Sequence, residues 1–259
     1  MNPTNPTNPK TPSDWLWVDL PQTAYRQAWH LQQRIVARKI DGLFRPNIFL
    51  ALEHTPVFTL GRRGGRENLC VSETILERAG IEIVAVERGG NITFHGPGQL
   101  VVYPIVDLKK EGIGVADLVD ALESAMIRTA AAAGVHAGRN AMNRGVWVGS
   151  NKIGSVGIAV RRGISFHGLA LNVDLDLKPF SWINPCGLSN IGITSLQNEG
   201  AVGSDMAWTR RQMRRQFERI FNTRCETRPP AFVTAPAADP PSSAAVLTTP
   251  HSPFSLEPS

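Results

Sequence analysis

The chain has 259 residues, of which 42% are hydrophobic and 19% are charged, so it is long and apolar enough to bury a core without disulfide support. Its three widely spaced cysteines exclude a disulfide framework and favour a reducing compartment, with the cytoplasm as the expected location. The net charge of +5 comes without a dense basic block, which argues against nucleic-acid binding, and no apolar run is long enough to cross a membrane.

Composition divides the chain into three parts. Residues 1–13 repeat Asn, Pro and Thr, and residues 227–259 are rich in Pro, Ala and Ser. Neither segment contains enough apolar residues to form a core, so both are predicted to be disordered. Residues 14–226 are predicted to form a single folded domain.

Hydrophobic spacing predicts the elements of this domain in chain order. Helices are predicted over residues 23–40, 72–79, 115–133 and 205–222. Strands are predicted within residues 47–60, 81–86, 100–106 and 145–176. Val115, Leu118, Leu122 and Met126 are predicted to form the apolar stripe of the third helix, and Pro104 indicates an edge or a bulge in its strand. This irregular order predicts an α+β fold with a mixed or antiparallel sheet and flanking helices.

Cys186 is the first candidate for chemistry. A free cysteine is more often a small buried hydrophobe, but Asn184, Pro185 and Gly187 around this one indicate a turn that can present a thiol to a cleft. Cys70 and Cys225 lack such a setting and are interpreted as structural or incidental. A thiol with its usual pKa of about 8.5 needs a base or a positive neighbour to react near neutrality.

Lys152 is the candidate for that partner. Most lysines are solvated surface charges, but this one lies in a segment of small residues, where a desolvated amine can accept a thiol proton. His95 and His167 compete as bases, although a lone histidine is more often structural. A zinc site formed by these histidines and Cys186 lacks the usual ligand spacing. We expect the fold to bring Lys152 and Cys186 together for acyl transfer through a thioester.

Glycines surround the short segment from Ile92 to His95. The flanking sequences Arg88-Gly89-Gly90 and Gly96-Pro97-Gly98 do not match a phosphate-binding loop. They indicate either a tight turn between strands or a pocket wall, in which Ile92 and Phe94 would supply apolar surface for an acyl chain.

The basic face of the last predicted helix, residues 210–215, has two interpretations. It can meet an acidic carrier protein, or it can be a solvated helix surface.

Three stretches together resemble the octanoyltransferase family of lipoate biosynthesis. They are LGRRG (60–64), RGGNITFHGPGQLVVYP (88–104) and KIGSVGIAVRRGISFHGLALNVDLDLKPFSWINPCGL (152–188). The resemblance extends from about Trp15 to Thr227. The chain departs from the family pattern at Gly154, where alanine is usual, and at Ala159, where arginine is common. The segment RNAMNR (139–144) also lacks the proline that usually precedes GVWV.

The resemblance implies a catalytic acyltransferase domain similar to the catalytic domain of biotin and lipoate protein ligases. It implies that Cys186 is the acyl-thioester nucleophile and that Lys152 lowers its pKa and transfers protons. The pocket implied by the resemblance consists of Arg88, Gly89, Gly90, Asn91, Ile92, Thr93, Phe94, His95, Ser155, Val156, Gly157, Gly168, Leu169 and Ala170.

The same resemblance implies the reaction and its partners. Octanoyl-acyl carrier protein would be the donor, and lipoyl domains of 2-oxoacid dehydrogenases and the glycine cleavage H protein would be the acceptors. The donor is already a thioester, so neither ATP nor a metal is expected, and nothing requires more than a monomer. Three alternatives stay open: an ATP-dependent lipoate or biotin ligase, a Cys/His thioesterase, and a non-catalytic module that binds the carrier or the lipoyl domain.

Overall fold

The computed structural model describes residues 15–141, 143–184 and 192–235. Cys186 therefore lies outside the described residues. The predicted disordered segment 1–13 and residues 236–259 of the predicted tail also lie outside them.

Two kinds of element alternate irregularly along the described chain. The helices are α1 (Tyr25–Ile40), α2 (Glu73–Ala79), α3 (Leu108–Glu111), α4 (Val115–Ala132), α5 (Met206–Ile220) and α6 (Ala231–Thr234). The strands are β1 (Trp15–Asp19), β2 (Asn47–Leu52), β3 (Val57–Leu60), β4 (Glu82–Ala85), β5 (Ile92–His95), β6 (Gln99–Ile105), β7 (Gly138–Asn140), β8 (Asn143–Val148), β9 (Asn151–Arg161), β10 (Ile164–Asn172), β11 (Gly192–Ile193) and β12 (Cys225–Arg228).

Most of the described strands form one large mixed sheet. Its order is β12-β1-β2-β6-β10-β9-β8-β7, and β11 pairs with β9 outside this order. The pairs β1–β2, β1–β12 and β9–β11 are parallel, and the others in this sheet are antiparallel. The predicted mixed sheet with flanking helices is thus confirmed.

Both faces of the large sheet are buried. Alternate residues of β1 pack on opposite faces, because successive strand side chains point in opposite directions. Trp15 and Trp17 join the core beneath α4 and α5, whereas Leu16 and Val18 join the core beneath α1. Helices cover both faces, which explains why central strands such as β2 and β6 are buried throughout.

The small sheet has the order β4-β3-β5. Strand β3 pairs in parallel with β4 and antiparallel with β5. Phe58 and Phe94 pack with Phe180 in a separate core, where the Phe94 and Phe180 rings meet edge to face. This small core supports the loop that carries Arg88–Ile92.

Several sequence predictions need correction. Strand β6 is central, so the edge position predicted from Pro104 is wrong; the β6–β10 ladder is interrupted beside Pro104 instead, between the Val102–Leu169 pair and the Asp107–Ile164 bridge. Val115 is 51% exposed and does not belong to the buried stripe of α4.

The predicted boundary at residue 226 falls inside β12. Thr227 and Arg228 pair with Trp17 and Val18, and α6 follows with Val233 buried. The ordered chain extends beyond residue 226, where the Pro-rich composition begins, because β12 pairs with β1 through its backbone. Composition alone does not predict such pairing.

Candidate active site

A cavity of about 950 Å³ opens between the two sheets. Its walls come from the loop and strand at 88–95, from β9 and β10, and from α4 with the segment 139–144. Lys152 and every predicted pocket residue except Phe94 line it. The structure therefore brings together side chains that are far apart in sequence.

Phe94 is the exception among the predicted pocket residues. Alternation along β5 turns its ring away from the cavity and into the core of the small sheet, where it packs on Phe58 at 5.3 Å between ring centroids. Ile92 lines the cavity and also packs in that core.

Lys152 lies on β9, and only 5% of the residue is exposed. Its Nζ donates a hydrogen bond to the Arg144 carbonyl oxygen at 2.9 Å and lies 5.3 Å from the centroid of the Trp147 ring. Trp147 is also its register partner on β8. An ammonium in this position is largely removed from water, which is the environment that favours a proton-transferring lysine.

The segment that contains Cys186 is bordered by described residues at the cavity. Phe180 and Ile193 both line the cavity, and Ile193 of β11 pairs with Lys152 of β9. The Thr194 N–H donates to the Lys152 carbonyl oxygen at 3.0 Å.

The two other cysteines occupy sites unlike a reactive thiol. Cys70 is exposed and does not line the cavity. Cys225 is buried in β12, where burial and the nearby Glu218 raise the pKa of its thiol to about 12.

Glycines let the walls approach closely. A Cβ at Gly168 would lie 2.0 Å from the Val102 carbonyl oxygen, and one at Gly157 would lie 2.8 Å from the Gly89 carbonyl oxygen. A Cβ at Gly154 would lie 2.6 Å from Met126 Sδ of α4. The family alanine would therefore require the flexible Met126 side chain to shift.

The departure at Ala159 has a different setting. Ala159 is buried in the core between the sheet and α1. An arginine at this position would have to bring its charge into that core.

Arg88 is buried against the small sheet. Its Nη2 donates to the Thr59 carbonyl oxygen at 2.6 Å, and its Nε donates to Thr59 Oγ1 at 3.1 Å. Because its guanidinium is bound to β3, Arg88 fixes the glycine loop that follows it rather than extending freely into the cavity.

Aromatic and imidazole side chains form the polar end of the cavity. Tyr25 Oη lies 3.4 Å from His167 Nδ1, and the Tyr25 ring stacks on His95. Tyr103 Oη lies 2.6 Å from His54 Nε2. Burial lowers the pKa of His95 and of His167 and raises the pKa of both tyrosines, so these groups are neutral near pH 7.

Sequence reasoning missed Tyr25, Tyr103 and Glu123 as cavity residues. Tyr25 lies at helical spacing with apolar residues in its predicted helix, and Tyr103 lies in an apolar strand run, so neither gives a polar signal. Glu123 follows Leu122 of the buried α4 stripe, and a single acid beside such a stripe does not indicate a site.

Two arginines of the last helix have partners within the fold. Arg210 donates to the Leu20 and Ala51 carbonyl oxygens, and Arg214 donates to that of Cys225. They fasten α5 to β1, β2 and β12, so these two arginines are not a freely available docking face.

The chain is similar to a known family along most of its length. A family model of the lipoyl protein ligase A/B catalytic domain matches residues 24–218. The octanoyltransferase of Desulfotalea psychrophila is 50% identical over 198 residues, which are 76% of this chain and 89% of that protein. That of Syntrophobacter fumaroxidans is 44% identical over 80% of this chain and 92% of its own. The chain belongs to the octanoyltransferase family.

Solved structures show the same fold at low identity. A bipartite lipoate protein ligase from Thermoplasma acidophilum superposes with a TM-score of 0.67 at 15% identity, over 84% of this chain and 87% of that one. LipL1 of P. falciparum superposes with a TM-score of 0.66 at 11% identity, over 83% of this chain and 66% of that one. This chain of the octanoyltransferase family thus has the predicted fold, which it shares with lipoate protein ligases.

No helix in residues 15–141, 143–184 or 192–235 is both long and apolar enough to span a bilayer. Within the same ranges, no three His, Cys, Asp or Glu side chains cluster as metal ligands.

Proposed function

We propose that this protein transfers an octanoyl group from acyl carrier protein to a lysine of a lipoyl domain through a thioester on Cys186. The observation that carries the proposal is the buried Lys152 side chain in the wall of a cavity between Gly-rich strands. The relatives named octanoyltransferase support the chemistry.

The first half-reaction loads the enzyme. Lys152 accepts the Cys186 proton, and the thiolate attacks the thioester carbonyl carbon of the donor. A new carbon–sulfur bond to Cys186 forms, the bond to the carrier sulfur breaks, and Lys152 returns the proton to the departing carrier thiolate.

The second half-reaction unloads it. A neutral lysine amine of the lipoyl domain attacks the acyl-Cys186 carbonyl carbon, forming an amide as the Cys186 thiolate leaves. Lys152 accepts the proton lost by the amine and passes it to the Cys186 thiolate, which restores the starting thiol and the neutral lysine. No oxidant, reductant or nucleotide is consumed, because the donor thioester supplies the driving force.

The cavity offers walls suited to a medium-length acyl chain. Val101, Val156, Leu169 and Ala170 supply apolar surface, and Tyr25, Tyr103 and His167 form a polar end. We propose that Arg88–His95 apart from Phe94, with Ser155–Gly157 and Gly168–Ala170, contact the acyl group.

The decisive experiment is the intact mass of the purified protein after mixing with octanoyl-carrier protein without acceptor. We expect one octanoyl adduct on the wild type and no thioester adduct on Cys186→Ser. Lys152→Ala should slow adduct formation by about 100-fold or more, the usual contribution of a positioned acid–base group. Cys70→Ser is the matched control, since it removes the exposed thiol outside the cavity and should load like the wild type.

Other outcomes point to the alternatives. An intact donor with no adduct excludes the covalent mechanism and favours an ATP-dependent ligase or a binding module. A hydrolysed donor with no adduct favours the thioesterase.

A further inference from the structure

One peptide group lies between two buried charges in the cavity wall. The Arg144 carbonyl oxygen accepts a hydrogen bond from Lys152 Nζ at 2.9 Å. The Gly145 N–H, on the same peptide unit, donates to Glu123 Oε1 at 2.8 Å. In a trans peptide the N–H and C=O groups point in opposite directions. The Glu123 carboxylate therefore lies at the positive end of the peptide dipole, and the Lys152 amino group lies at its negative end.

Gly145 makes this arrangement possible. Its φ is +123°, and a Cβ there would lie 2.6 Å from Lys152 Cε and 2.5 Å from the Gly154 carbonyl oxygen. Only a residue without a side chain lets the peptide come this close to the lysine stem.

The Glu123 side chain is 1% exposed, and its two carboxylate oxygens have different hydrogen-bond partners. Oε1 binds the Gly145 N–H, whereas Oε2 accepts from Arg139 Nε at 2.9 Å and Arg144 Nη1 at 3.2 Å. A buried carboxylate needs such partners to stay ionised.

The attachment of residues 139–144 to α4 does not require Glu123 Oε1. Arg139 also donates to Ser124 Oγ and to the Asp120 carbonyl oxygen, and Arg144 pairs with Asp120 Oδ1 at 2.5 Å. The bond from Gly145 to Oε1 is therefore additional to the attachment of the segment, and the carbonyl of the same peptide unit contacts Lys152.

We propose that Glu123 is a positioning residue, which holds the Arg144–Gly145 peptide against Lys152 and tunes the proton affinity of its amine. The catalytic part of this inference rests on the proposed function, because it assumes that Lys152 transfers protons. The physical part, the coupling between Glu123 and Lys152, does not.

The charge of Glu123 favours the ammonium form of Lys152, and hydrogen bonds in series through a peptide strengthen one another. Glu123→Gln keeps an oxygen that can accept from Gly145 but removes the carboxylate charge that faces Arg139 and Arg144, although Arg144 keeps its pair with Asp120. Among the described residues, the other charged or titratable side chains along the cavity are Tyr25, Arg63, Arg88, His95, Tyr103 and His167, and none of them changes in this variant. The proposed nucleophile Cys186, which lies outside the described residues, is unchanged as well.

The test is a pH titration of the Lys152 amine by NMR on lysine-labelled protein, with its signal assigned from Lys152→Arg. Glu123→Gln should lower the titration midpoint by about 0.5 to 1 pH unit, as expected for a charge removed at short range from a site of reduced dielectric. The pH–rate profile of octanoyl loading should move to lower pH in the same variant.

Asp120→Asn is the matched control. It removes one carboxylate from the same helix and the same arginine cluster, but Asp120 is half exposed and does not bind the Gly145 N–H. Its effect on the midpoint should stay below about 0.2 unit, because solvent screens exposed charges.

Arg139→Gln keeps the proposal testable if Glu123→Gln does not fold. Arg139 is half exposed like Asp120, but its Nε binds the buried Glu123 carboxylate directly at 2.9 Å. Removing its positive charge leaves that carboxylate less compensated and should raise the Lys152 midpoint. If the cluster had only a structural role, Glu123→Gln and Arg139→Gln would not shift the Lys152 midpoint in opposite directions.

The outcomes separate the two claims. A midpoint that is the same in the wild type, Glu123→Gln and Arg139→Gln overturns the inference. The midpoint can instead shift as expected while the Lys152→Ala variant loads at the wild-type rate. That result supports the coupling between Glu123 and Lys152, but it overturns the proposed role of Lys152 and the positioning role of Glu123 in transfer.

Discussion

Gly145 controls how closely the backbone can approach Lys152. Gly145→Ala should reduce octanoyl loading by about 100-fold, because the added Cβ displaces the Lys152 stem and small misplacements of reacting groups are costly. Loading is measured by the mass of the acyl adduct in single turnover.

Gly149→Ala is the control for Gly145→Ala. Gly149 also has a positive φ, of +56°, but a Cβ there would meet nothing within 4 Å. It should lose only about 1 kcal/mol of unfolding free energy and keep its loading rate. Equal loading by the wild type and Gly145→Ala would contradict the role assigned to the close approach.

His54 makes the folded state sensitive to acid. Its Nδ1–H donates to the Thr23 carbonyl oxygen, its Nε2 accepts from the Tyr103 hydroxyl, and burial lowers the pKa of His54 to about 4. The unfolded chain takes up this proton near pH 6.5 and the folded chain resists it. This contribution to stability is therefore complete above pH 6.5 and is lost as the pH falls toward 4.

Between pH 7 and pH 5, His54 alone should lower the free energy of unfolding by about 2 kcal/mol. Urea unfolding at a series of pH values measures it. His54→Gln, although less stable overall, should show a pH dependence weaker by that amount, whereas the exposed His30→Gln should match the wild type. An unchanged slope in His54→Gln would rule out His54 as the source.

A single functional residue can be predicted from the sequence when its neighbours along the chain are unusual. Lys152 stands out because small residues surround it, and the glycines near Arg88 indicate a wall or a turn. Glu123 and Tyr25 are not predictable in the same way. Their roles depend on contacts with residues 22 and 142 positions away, Gly145 and His167, which no local pattern reports.

Among the elements, α5 is held by an aromatic stack. Phe217 is fully buried, and its ring centroid lies 4.5 Å from that of Phe49 on β2. Phe217→Ala should lower the free energy of unfolding by about 3 to 5 kcal/mol, the usual cost of a cavity of this size. Urea denaturation measures the change.

Phe232→Ala is the corresponding control, since Phe232 of α6 is 44% exposed. It should cost less than about 1 kcal/mol because little apolar area leaves water. No residue of α5 lines the cavity. The folded fraction of Phe217→Ala should therefore load octanoyl normally, and a loading defect at full folding would show that α5 supports the site.

The elements were predictable where periodicity is strong, as in α1 and α4. Pro104 was misleading because proline in a central strand is accommodated here by an interruption of the ladder opposite Gly168, whose missing side chain lets β10 approach the Val102 carbonyl oxygen. Val115 misled because it begins α4, before the helix contacts the sheet.

For the whole molecule, β12 determines where the domain ends. Truncation after Thr223 removes β12, which pairs with β1, and α6 with its buried Val233. It should lower the melting temperature by at least about 10 °C, since backbone pairing, buried Cys225 and buried Val233 are lost together. Thermal unfolding followed by circular dichroism measures it.

Truncation after Ala235 is the control. The composition of residues 236–259 predicts no contribution to a core, so the melting temperature should not change. A loss of stability in this variant would contradict the predicted disorder of that segment.

The position of β1 between β2 and β12 also orders events during synthesis. The ribosome releases Trp15–Asp19 first and Cys225–Arg228 some 200 residues later. Until then the nascent chain carries an open strand edge rich in tryptophan, which is the kind of edge that chaperones must shield from neighbouring chains. The large sheet can be completed only after nearly all of the domain has left the ribosome.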